Sequence, residues 1–148
     1  RIIGLHFSNP AYKLKGVEVI KSIKTSKKTF NSTLSLLKLV GKEPVTVKDT
    51  PGFLINRILF VMLNEASYLL YNGTSTKENI DKIMVLGANL PIGPFRIIDL
   101  IGIDVTVDIL NNLCINLKDE KYKPCPLLLD MVREKRLGRK TGRGFYTY

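Results

Sequence analysis

Gly4-Leu5-His6-Phe7-Ser8-Asn9-Pro10, followed by Gly16-Val17-Glu18-Val19-Ile20, is the stretch on which the fold and the chemistry turn. Residues 1–7, with the apolar run Ile2-Ile3-Gly4-Leu5 leading up to His6, read as a buried strand. Asn9-Pro10 is a turn signal that closes it. Residues 17–23 open with β-branched side chains and read as a second strand. The connection from Ser8 to Gly16 is short enough for the second strand to return antiparallel beside the first. His6 and Glu18 then become cross-strand neighbours, with Cβ atoms roughly 4.5–5.5 Å apart. A carboxylate at that range accepts a hydrogen bond from one imidazole nitrogen, fixes the tautomer and leaves the other nitrogen free to move a proton. The plainer alternative is a satisfied surface or core histidine. His6 is the only histidine in the chain.

The rest of the opening region reads as ββαβ. Ser26 starts a helix with an apolar stripe at Phe30, Leu34, Leu37, Leu39 and Val40, and Gly41 is a natural stop. Pro44-Val45-Thr46-Val47 is a third short strand. Beyond residue 49 the pattern is helical throughout. Pro51 is a good first helical residue, and residues 51–72 are expected to form one long, buried, central helix of ~33 Å. Ser75 and Glu78 form a capping box for the next helix, which ends near Gly87. Further helices are expected from Gly93-Pro94 to Ile101, from Val105 to Lys118 and from Pro126 to Arg136. The tail from Thr141 has turn glycines and then alternating aromatics. Asn56 stands out as an indifferent residue for a helix interior. It is either a polar group aimed at a ligand oxygen near His6 or an amide satisfied by backbone or another helix.

The chain has 148 residues, 45% hydrophobic and 24% charged, enough for a real core. Its 23 Lys and Arg against 13 Asp and Glu give a formal charge of +10. That favours a solvated basic surface or a phosphorylated ligand over nucleic acid. The densest basic run, Arg133 to Lys140, suits a helix C-terminus. Cys114 and Cys125 do not suggest a disulfide framework, metal-ligand spacing is absent, and a reduced, cytoplasmic setting is the default. The most apolar run, Phe53 to Leu63, contains Asn56 and Arg57 and falls short of the ~18 uninterrupted residues a membrane span needs.

The motif Gly-Leu-His-Phe-Ser-Asn-Pro, then Val17-Glu18-Val19-Ile20, then Gly41-Lys-Glu-Pro-Val-Thr-Val-Lys-Asp-Thr-Pro-Gly-Phe-Leu-Ile-Asn-Arg57 resembles the NAD-dependent L-3-hydroxyacyl-CoA dehydrogenase family, and within it the 3-hydroxybutyryl-CoA type. The likeness runs on through Leu86-Gly87-Ala88, Pro91-Ile92-Gly93-Pro94, Asp99 to Asp104, Cys125-Pro126 and Leu137 to Tyr146. It implies a mostly α chain: residues 1–49 as the end of a dinucleotide-binding α/β domain, residues 50–148 as the helical domain through which the family dimerises. It implies His6 as catalytic base, Glu18 as its paired carboxylate, Asn56 as the active-site asparagine and Asn9 near the nicotinamide of NAD. The substrate is then a short-chain acyl-CoA, with no nucleic acid, membrane or metal involved.

The departures carry expectations too. The G-x-G-x-x-G turn and the family's catalytic serine are missing, so the chain is expected to be the C-terminal part of a longer enzyme and inactive alone. The first strand is expected to leave an exposed apolar edge. Ser8, Tyr12 and Gly16 replace residues expected to be apolar or proline, which bears on the acyl pocket. Two alternatives stand beside this reading: a related 3-hydroxy acid or sugar-acid dehydrogenase, and a stand-alone helical dimerisation module.

Overall fold

A computed structural model describes residues 2–148; Arg1, at the head of the first expected strand, lies outside the described residues. The architecture is mostly α, with six α-helices and one three-stranded sheet among the described residues. The chain divides into two compact units, one ending at Leu54 and one running from Ile55 to Tyr148.

In the first unit the strands are β1 (Gly4–Phe7), β2 (Gly16–Ile20) and β3 (Glu43–Val47), in the order β1-β2-β3. β1 and β2 are antiparallel, whereas β2 and β3 are parallel, joined across helix α1 (Lys27–Leu39). Both strands are shorter than expected: β1 begins only at Gly4 and β2 stops at Ile20. The chain turns away at Ser22, whose backbone N–H donates to the Thr25 hydroxyl. Ser26 caps α1 by accepting from the Thr29 N–H. Val17 and Val19 project from one face of β2 and pack with Leu37, Phe30 and Leu34 of α1. The pleat sends alternate side chains to opposite faces, so Glu18 and its neighbour His6 emerge on the face away from α1. β1 pairs with β2 alone among the described residues, and its Leu5 and Phe7 stay partly exposed.

The second unit comprises α2 (Ile55–Tyr71), α3 (Lys77–Ala88), α4 (Pro94–Ile101), α5 (Ile103–Leu117) and α6 (Pro126–Arg133). Four boundaries differ from expectation. α2 starts at Ile55, not Pro51, because Gly52 and Phe53 both have positive φ and the Phe53 N–H closes a turn on the Thr50 carbonyl. It buries one face, Phe60, Leu63, Asn64 and Ser67, against α4, α5 and α6, while Ile58 remains 72% exposed. It touches α3, α4, α5 and α6 and is central to this unit as expected, but it is buried on one face only. Thr76, not Ser75, caps α3 and accepts from the Asn79 N–H. α5 begins two residues early because Gly102, at φ +107°, can act as its cap. α6 stops at Arg133, where Lys135 turns left-handed and the Arg136 N–H returns to the Met131 carbonyl.

Two buried acids sew this unit together. Asp99, 1% exposed, accepts from the backbone N–H groups of Phe145 and Tyr146, each at 2.9 Å, and from the Tyr148 hydroxyl. Asp81 accepts from the Phe95 N–H and from the Tyr146 hydroxyl. Burial, reinforced by that bond to Asp81, pushes the Tyr146 phenol well above its usual range, so it stays a donor. A Cβ on Gly144 would lie 2.0 Å from Asp99 Oδ1, which explains the glycine in the tail. The basic run is largely engaged: Arg133 pairs with Asp130, Arg136 with Glu134 and Lys140 with Asp104. No helix among the described residues is long and apolar enough to cross a membrane.

Candidate active site

The register of β1 against β2 sets His6 directly opposite Glu18. The imidazole Nδ1 lies 2.7 Å from Glu18 Oε2. The Glu18 side chain is 10% exposed and the imidazole side chain 31% exposed, so the acid is the anchored partner and the ring is the more open one. A carboxylate can only accept, so in the neutral ring the proton sits on Nδ1 and Nε2 carries the free lone pair. Nε2 has no hydrogen-bond partner among the described residues. The other carboxylate oxygen, Oε1, accepts from the Leu54 N–H at 2.7 Å. The Phe53 ring lies 5.5 Å from the imidazole, tilted by 45°. This arrangement can take a proton at Nε2 and hold the resulting imidazolium beside a buried anion.

The other two expected site residues are placed less tightly. Asn9 is exposed in the turn after β1. Asn56 is half-buried in the first turn of α2, not the second, because the helix starts late; it belongs to the second unit. A buried asparagine that the sequence did not single out is Asn64. Its amide donates to the Lys123 carbonyl and accepts from the Cys125 N–H, which fixes the loop ahead of α6.

Residues 52–148 match the family described as 3-hydroxyacyl-CoA dehydrogenase, C-terminal domain, and residues 1–50 match its NAD binding domain. The chain belongs to the 3-hydroxyacyl-CoA dehydrogenase family. It is 49% identical over 148 residues to the 3-hydroxybutyryl-CoA dehydrogenase of Clostridioides difficile, covering all of this chain and 53% of that protein. It is 46% identical to the mitochondrial hydroxyacyl-coenzyme A dehydrogenase of Rattus norvegicus, over 100% of this chain and 48% of that one. The crystal structure of (S)-3-hydroxybutyryl-CoA dehydrogenase from Ralstonia eutropha superposes with a TM-score of 0.94 at 45% identity, over 99% of this chain and 52% of that chain. The chain thus spans about half the length of the curated relatives it matches.

Residues 1–50, which match the NAD binding domain, contain no G-x-G-x-x-G turn. The connection from β2 into α1, Lys21 to Ser26, has no glycine, and the Ser26 hydroxyl already caps the helix. The connection after β3 does carry Gly52, but the Leu54 N–H there is taken by Glu18. Neither connection carries the glycine-rich turn that lets a backbone approach a pyrophosphate closely. The first unit also exposes the amide of Asn9, three residues after the histidine.

Proposed function

We propose that the chain is the C-terminal part of an NAD-dependent L-3-hydroxyacyl-CoA dehydrogenase acting on short-chain substrates of the 3-hydroxybutyryl-CoA type. The observation that carries this reading is the His6–Glu18 pair, in a family whose relatives bear that name. Nε2 of His6 takes the proton of the substrate's 3-hydroxyl as C3 becomes a ketone. NAD, when bound, supplies the acceptor for the hydride that leaves C3. Glu18 stabilises the imidazolium and holds the ring in the orientation that keeps Nε2 available. In the reverse direction the imidazolium returns its proton to the ketone oxygen. Asn56 is assigned the hydrogen bond to that oxygen, where a fixed amide donor stabilises developing negative charge. Asn9 is assigned to the nicotinamide.

With no G-x-G-x-x-G turn in its sequence, the 148-residue chain alone is expected to show no NADH-dependent reduction of acetoacetyl-CoA, followed at the NADH absorbance. Joined in frame to the part of the Clostridioides difficile relative that it does not match, it is expected to turn over. Activity of the chain alone would refute the first expectation. A folded, NADH-binding chimera inert toward acetoacetyl-CoA would refute the proposed activity.

The helical unit is assigned a homodimer contact. Ile58, Ile83, Leu86 and Ile115 are large apolar side chains left exposed on it, and a second copy that covered them would remove that surface from water. Light scattering is expected to return twice the chain mass, and a monomer at high micromolar concentration contradicts the assignment.

A further inference from the structure

The turn from Thr50 to Leu54 departs from ordinary local preference, and it does so beside His6. Phe53 has φ +48°, a region that is strained for a bulky residue with a Cβ. Two hydrogen bonds impose it. The Phe53 N–H donates to the Thr50 carbonyl at 3.0 Å, and the next N–H, that of Leu54, donates to Glu18 Oε1 at 2.7 Å. Strain of this kind persists only where the surroundings over-determine it. Here it brings the Phe53 ring to 5.5 Å from the imidazole centroid.

The imidazole needs such a wall. Its bond to Glu18 fixes where one nitrogen lies but not the plane of the ring, because χ2 of histidine is broad and roughly two-fold. A ring 31% exposed can turn over and present Nε2 to the carboxylate instead. We infer that Phe53 is a positioning residue for His6: the strained turn, which shares Glu18 with the imidazole, presses the phenyl ring against it and so holds its plane and tautomer. The inference rests on the proposed role of His6 as the base. It gives Glu18 two tasks at once, one oxygen for the histidine and one for the turn that presents the phenyl ring.

His6 is the only histidine, so long-range proton–nitrogen spectra of the labelled 148-residue chain contain one imidazole. Phe53→Tyr is expected to keep the wild-type pattern, with Nδ1 protonated and Nε2 bare in the neutral ring. Phe53→Ala and Phe53→Gly are both expected to move the two ring nitrogens toward the average of the two tautomers. Their stabilities should nevertheless differ. Glycine adopts φ +48° freely whereas alanine does not, so Phe53→Gly is expected to melt above Phe53→Ala. A residue with a merely structural role would leave the tautomer unchanged in every folded variant. An unchanged imidazole pattern in Phe53→Ala and Phe53→Gly overturns the positioning role, and leaves the Nδ1-protonated base standing. A tautomer mixture already present in the wild type overturns both. Phe53→Gly melting at or below Phe53→Ala overturns the strain argument.

Discussion

His6→Gln, placed in the active chimera, is expected to lower kcat by about 10²- to 10⁴-fold, the range a positioned general base contributes. Glutamine keeps a polar side chain of similar reach but cannot accept a proton at neutral pH. KM for acetoacetyl-CoA is expected to change far less, because in the proposed reaction the imidazole acts on the C3 oxygen and not on the CoA handle. Glu18→Gln is expected to fall between wild type and His6→Gln. It keeps an acceptor for Nδ1 but removes the negative charge that faces the ring. The measurement is steady-state kinetics in both directions with the fold checked by circular dichroism. Equal kcat in His6→Gln and wild type would remove the histidine from the chemistry.

Asp99→Ala is expected to cause the largest loss of stability in the helical unit, about 3–5 kcal/mol. The backbone N–H groups of Phe145 and Tyr146 both lose their acceptor in a buried setting. Each such orphan costs about 1–3 kcal/mol, more where the lost partner was charged. The Tyr148 hydroxyl loses its partner as well. Asp99→Asn keeps one acceptor oxygen and is expected to lose roughly half as much. Gly144→Ala attacks the same contact from the other side, since its Cβ would lie 2.0 Å from Asp99 Oδ1. Urea titrations of the three variants test this. A shift below about 1 kcal/mol for Asp99→Ala, the size of an ordinary surface change, would mean that the tail is not held by this carboxylate.

Much of the first unit was legible in the sequence because strand pairing has a strict period of two. Once a short connection returned Val17-Glu18-Val19 beside Leu5-His6-Phe7, alternation placed His6 and Glu18 on one face, and β2 packed its valines on the other. The turn that follows β3 was not legible. Pro51 carries a sound helix-start signal, and nothing local favours positive φ at Phe53. That geometry is set by a hydrogen bond to Glu18, 36 residues earlier in the chain. The start of α2, and the turn in which Asn56 lies, moved for the same reason.

In the helical unit, helix identities followed from apolar spacing, but the tertiary polar contacts did not. Asp81 and Asp99 look like ordinary helix-surface acids until the tail folds back on them. The one hint was Gly142-Arg143-Gly144-Phe145-Tyr146, where glycine beside aromatics marks a close backbone approach. Asn64 escaped notice because its partners, Lys123 and Cys125, lie about sixty residues away. The long apolar run of α2 reads as buried on most faces because composition alone cannot distinguish a face turned to its own core from one left exposed, as at Ile58.

The most direct measurement is the tautomer of the neutral His6 imidazole, read from the ring nitrogen shifts of the wild-type chain. With Nδ1 held at 2.7 Å from Glu18, the predicted spectrum has a protonated Nδ1 and a bare Nε2, and Glu18→Leu abolishes that preference. A protonated Nε2 in the wild type, or a spectrum indifferent to Glu18→Leu, contradicts the account.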